Sequence, residues 1–147
     1  MINGKRMTNI VFMHQGEHSP VREVVCKKLA IAVALVIELP LEIQIRFADL
    51  GKSVYGHTSL DLRFKNRISI NTILQLDEIP TVLVHELIHL SQSHTGMLMV
   101  TPSGQHFWKN KLVDMSAEYD TLPWEKDVQE RHDKVMTRSL QLAILTG

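Results

Sequence analysis

The chain has 147 residues, 44% of them apolar and only 7 Gly and 5 Pro, which excludes a disordered or fibrous chain and leads us to expect a single domain over residues 1–147. Sixteen basic and sixteen acidic side chains cancel, so the strongly basic surface that binds nucleic acid or an anionic membrane is not expected. One cysteine, Cys26, leaves no intrachain disulfide framework and suits a reducing, cytoplasmic compartment.

Residues 10–13 are a short apolar piece that forms an edge strand or packs loosely. Ser19-Pro20 then opens a helix, as an N-cap followed by Pro at the first helical position, and the pattern continues over residues 21–39 until Pro40 ends it. Cys26 falls among its apolar positions and reads as core. The most hydrophobic part, residues 29–37, is too short for a bilayer, which needs about 20 residues, and lies behind Glu17, His18 and Arg22, unlike a signal peptide.

Residues 41–47 alternate apolar and polar side chains, the period of a half-buried strand, and a turn around Gly51 follows. Residues 60–70 alternate again but break at Asn66, predicting a bent strand or a hairpin; Arg63, Lys65 and Arg67 within it read as a solvated face. A second helix runs from about Glu78, with Pro80 in its first turn, to His94, and Gly96 stops it. Residues 97–100 and 106–115 flank Thr101-Pro102-Ser103-Gly104 as a hairpin. Pro123 opens a last helix to about Ile144, with Trp124, Val128, Val135, Met136 and Leu140 on one face. Helix, strands, helix, hairpin, helix is the order of an α+β domain.

Within the second helix stands His85-Glu86-Leu87-Ile88-His89. With 8 His and 9 Glu in the chain, this HExxH pattern is expected by composition only about 0.03 times. At about 100° per residue the two imidazoles share one face, while Leu83, Val84, Leu87, Ile88 and Leu90 fall on the other. Two ring nitrogens one turn apart can occupy two corners of a tetrahedron while the apolar stripe anchors the helix, which is what a Zn2+ site requires. Glu86 stands beside that face, where a carboxylate can act as general base on a water activated by the ion.

A catalytic zinc site wants a third protein ligand. His94 points about 180° away from His85 and reads as a helix C-terminal residue meeting the dipole. Glu125, in the first turn of the last helix, can complete a His, His, Glu set, although an acidic residue there also complements the helix dipole. His106 is the alternative, reaching the metal if the hairpin folds over the helix. His57, Tyr119 and His106 are each able to donate to a developing oxyanion, and the sequence does not choose among them.

His85-Glu-Leu-Ile-His89, Phe107-Trp-Lys-Asn-Lys111, Tyr119 and Pro123-Trp-Glu125 together resemble the small gluzincin-type metallopeptidases of bacteriophages and prophages, distant relatives of SprT-like domains, over roughly residues 50–135. The resemblance implies a minimal zincin fold, in which a small twisted sheet packs on the HExxH helix and flanking helices. It also implies an edge strand from Tyr55-Gly56-His57-Thr58 through Ile68-Ser69-Ile70-Asn71, and Glu125 as third ligand. The chain departs from the SprT-like pattern in having Phe107, not Gly, after His106, and it lacks that family's zinc-ribbon cysteines.

The expected function is therefore a zinc metallopeptidase acting on a peptide or protein, in the host cytoplasm if phage-encoded, with no nucleic-acid or membrane partner. The alternatives are a catalytically silent zincin-fold binding or assembly protein and a non-peptidase metallo-amidase. Retention of Glu86 argues against the silent protein.

Overall fold

A computed structural model describes residues 7–13, 19–59 and 66–146. They form an α+β domain of three helices and two small sheets. The first sheet contains β1 (Asn9–Met13), β2 (Glu42–Ala48), β3 (Gly56–Thr58) and β4 (Arg67–Asn71), in the order β1-β2-β4-β3. β1, β2 and β4 are parallel, and β3 closes the row antiparallel to β4 as an edge strand.

The register explains the one-sided core. Ile45 pairs with Ile68 and Phe47 with Ile70, while Thr58 and Gly56 pair with the same two isoleucines from the other side. Paired residues project to the same face, so Ile43, Ile45, Ile68 and Ile70, all fully buried, point together into the helical layer. Burying each such side chain contributes about 1.5–3 kcal/mol. The helices covering this face are α1 (Pro20–Ala34), α2 (Ile79–His94) and α3 (Pro123–Thr146). Cys26, Leu29 and Val33 of α1, Leu83, Leu87 and Ile88 of α2, and Val128 and Val135 of α3 share that core.

Several boundaries differ from the sequence expectation. α1 ends at Ala34, not at residue 39. The amides of Val36 and Ile37 both turn back to the carbonyl of Val33, and Pro40 restricts Leu39 to extended geometry, so the chain turns into β2 early. Residues 60–65, Arg63 and Lys65 among them, lie outside the described residues; beyond them Asn66 is left-handed at φ 62° and the strand runs Arg67–Asn71. Of the edge strand expected over Tyr55–Asn71, β3 lies at the sheet edge while Ile68–Asn71 belongs to an inner strand; β1, expected over residues 10–13, forms the other edge.

The hairpin is a three-stranded meander of β5 (Leu98–Val100), β6 (His106–Trp108) and β7 (Lys111–Leu112). Lys109 and Asn110, at φ 49° and 69°, form a two-residue turn that breaks the long second strand expected there. Leu98, Leu122 and Trp124 make a small core of their own, tying this meander to the start of α3. Leu140, expected on the buried face of α3, is 40% exposed. No helix among the described residues is long and apolar enough to cross a membrane.

Candidate metal centre

The apolar stripe read from the sequence is what orients α2. Leu83, Val84, Leu87, Ile88 and Leu90 are at most 2% exposed, so His85 and His89 are turned outward together. Their Nε2 atoms face each other at 3.2 Å. α3 crosses α2 with Glu125 in its first turn, bringing one carboxylate oxygen to 2.8 Å from His89 Nε2 and the other to 3.6 Å from His85 Nε2. One donor atom from each of the three residues lies within 4.8 Å of the others. Bonds of about 2.0–2.1 Å at tetrahedral angles would separate ligand atoms by about 3.3 Å. The donor set and spacing therefore fit a small divalent cation, without by themselves identifying zinc.

The other residues singled out in the sequence fall elsewhere. His106 is stacked on Trp124, ring centroids 5.4 Å apart, with Nδ1 bonded to the Gly104 carbonyl at 3.0 Å, and it is not one of the clustered donors. His94 is exposed at the end of α2. His57 alternates on β3 with Gly56 and Thr58, which face α2, so its side chain leaves by the opposite face. Tyr119, in a short 3-10 turn before α3 (Tyr119–Thr121), hydrogen-bonds to Glu125 and borders the site.

Charges follow from this packing. Burial and then the charge of His89 hold His85 below the usual histidine range. Burial would also lower His89, but the hydrogen bond and charge of Glu125, with Gln92 assisting, outweigh it and raise the imidazole. Burial opposes ionisation of Glu125 as well, yet its bonds to His89 and Tyr119 hold it below the usual carboxylate range. Glu86 is 6% exposed, and burial pushes its carboxyl upward against the opposing pull of His89 and Thr58.

Glu86 is clamped by the edge strand. The Thr58 hydroxyl lies 3.1 Å from Glu86 Oε1 and 3.0 Å from its carbonyl oxygen, so its one proton is shared between two acceptors. Gly56 sits so close to α2 that a Cβ there would stand 2.7 Å from Val82 Cγ1 and 3.0 Å from Glu86 Cγ. The loop leading into β3 hangs on Asn71, which is fully buried. Its amide donates to the carbonyls of Gly51 and Val54, both at 2.7 Å, and its oxygen accepts from the amide of Ile73 at 3.2 Å.

A cleft follows β3. On the His85 side it opens into a largely apolar cavity of about 810 Å³, walled by Val54, Tyr55, Val82 and Val128. On the His89 side lies a cavity of about 190 Å³ bordered by Thr58, His106 and Trp124. The bonds Asn71 N to Tyr55 O and Ser59 N to Arg67 O fix the ladder parity. By that parity Gly56 and Thr58 turn their own N–H and C=O groups away from β4, to an edge that no other described strand pairs with.

Sequence reasoning set Gly56, Thr58 and Asn71 in the edge strand but missed what they do, and it missed Gln92 altogether. Gln92 is fully buried, with Oε1 2.9 Å from His89 Nδ1. It had a readable signal, since it falls about 20° from His85 on the helical wheel, on the face of the two histidines. The other three carried none, because their roles depend on which segment packs against which. No protein-family model, curated protein or solved structure matches the chain.

Proposed function

We propose that this chain is a metal-dependent peptidase of zincin type. The observation carrying this reading is the convergence of His85, His89 and Glu125 donor atoms beside a buried Glu86, on a cleft that follows β3, a sheet edge unpaired among the described residues. Imidazole and carboxylate donors in a small site favour zinc over the harder divalent ions. An ion held by His85, His89 and Glu125 would supply Lewis acidity, polarising a carbonyl and lowering the pKa of an attacking water to about 7.

Glu86 takes the proton of that water as the new C–O bond forms, then returns it to the amine as the C–N bond breaks. Its raised proton affinity suits a base in this role. Thr58 occupies Oε1 and leaves the other carboxylate oxygen for the transfer. The Tyr119 hydroxyl, already beside Glu125, is the candidate donor to the developing oxyanion. An extended peptide pairs with the outward N–H and C=O groups of Gly56 and Thr58, adding a strand to the sheet. The buried, lone cysteine accords with the cytoplasm as the place of action, the host's if the chain is phage-encoded.

The test is metal content and peptide turnover of the purified chain. About one zinc per chain is expected, lost in His89→Ala and Glu125→Ala and kept in His106→Ala. Turnover should stop on chelation and in Glu86→Gln, which still binds the metal. A well-folded chain that takes up no zinc, or a Glu86→Gln variant that turns over peptides like the wild type, overturns the reading.

A further inference from the structure

Gln92 is a polar side chain with no exposure at all, in the interface between the two helices that carry the clustered donors. Its Nε2 donates to the Trp124 carbonyl at 2.9 Å and to Asp127 Oδ2 at 2.9 Å. The same Oδ2 accepts from Arg131 Nε at 3.1 Å and from its terminal nitrogen at 2.7 Å. A carbonyl and a guanidinium-paired carboxylate can only accept, so the amide must present its NH2 group to them. Its Oε1 is thereby aimed at His89 Nδ1, 2.9 Å away.

That orientation dictates the histidine. An amide oxygen cannot donate, so Nδ1 must carry the proton of this hydrogen bond. A neutral His89 then has its lone pair on Nε2, the atom facing His85 and Glu125. The opposite tautomer would set two lone pairs against each other in a buried space, with no water to relieve them. Trp124 and Asp127 flank Glu125 in the first turn of α3, so the same amide also pins the turn that supplies the carboxylate.

Resting on the metal-centre reading above, we propose that Gln92 is the positioning residue of this site: it commits His89 to bind through Nε2 and fixes the distance of the Glu125 turn from α2. Groups that orient a ligating histidine typically change metal affinity about ten- to a hundred-fold when removed.

The experiment uses the full chain with 15N-labelled histidine, reading the His89 Nδ1 proton by NMR in the zinc-loaded form and the zinc Kd by competition with a chelator. In the wild type that proton is expected to be protected from exchange. Gln92→Met should expose it and weaken zinc binding about ten- to a hundred-fold. Gln92→Glu, in its ionised form, still accepts from Nδ1 but no longer donates to Trp124 or Asp127, so above the pH at which it ionises it should keep the protected proton while losing affinity. This isosteric variant also carries the test if Gln92→Met does not fold. Ser91→Ala, a buried neighbour on the same helix, should leave the Kd unchanged.

Unchanged affinity and an unchanged Nδ1 proton in a zinc-binding Gln92→Met chain would overturn the assignment and leave the metal centre standing. A wild-type chain that binds no zinc would overturn both.

Discussion

His89 Nε2 and Glu125 Oε1 stand 2.8 Å apart, a charge-assisted hydrogen bond between helices α2 and α3. With Nδ1 committed to Gln92, the metal-free pair holds one proton at the position a cation would take. Metal and proton therefore compete for the same lone pair.

The competition sets a pH dependence. His89 is raised above its usual 6.5 chiefly because Glu125 outweighs the effect of burial. Protonated His89 cannot bind, so affinity should be full at alkaline pH and fall as pH drops through a value above 6.5, about tenfold per unit below it. Zinc Kd values measured in chelator-buffered solutions from pH 8.5 to 6 check this. A flat profile through neutrality would show that the pair does not hold the proton.

Gly56→Ala should separate catalysis from metal binding. The new Cβ meets Val82 Cγ1 at 2.7 Å and Glu86 Cγ at 3.0 Å, so strand or carboxylate must shift. Overpacking of this kind costs about 1–3 kcal/mol. Because His85, His89 and Glu125 are untouched, the zinc Kd should hold while turnover falls at least about tenfold through misplacement of Glu86. Equal kcat in the variant would remove Gly56 from any role beyond packing.

The two cavities predict a cleavage preference. β3 runs from Gly56, beside the larger cavity, to Thr58, beside the smaller. A peptide pairing antiparallel to it places the residue after the scissile bond on the His85 side, against Val54, Tyr55 and Val82. Large apolar residues should be selected there and small ones before the bond, each well-buried methylene adding about 1–3 kcal/mol of discrimination. Mass spectrometry of a digested peptide library reads the preference directly. Gln129→Trp, which narrows the larger cavity from α3, should shift it toward smaller residues; the reverse order of preference would mean parallel pairing.

Cys26 should be inert in the folded chain. Burial pushes its thiol up to about 12 from 9.0, the Arg22 charge opposing and the Glu23 charge adding to it. Alkylation at pH 8 should therefore be slow natively and fast in denaturant. Since the unfolded thiol ionises near 9 and the folded one near 12, stability should be intact below pH 9. It should then fall by roughly 1.4 kcal/mol per unit as pH rises between these values. Cys26→Ala, followed by chemical denaturation at pH 8 and 10, would flatten that slope.

Local order could be read directly from the residues. The spacing of His85 and His89 against the stripe of Leu83, Leu87 and Leu90 follows from 3.6 residues per turn, so the shared face of the histidines was legible before any packing was known. The same holds for the start of α1 at Ser19-Pro20 and for the alternation of β2. Tertiary structure alone brought Glu125 rather than His106 to the histidines, because that choice depends on how α3 crosses α2 and on Trp124 holding the His106 ring. β3 carries no periodicity of its own in three residues, so only the resemblance anticipated a strand there, and its place as a separate edge strand comes from pairing with β4. Helical periodicity is written within one turn of chain, whereas contacts between distant segments arise only when the whole apolar face is buried at once.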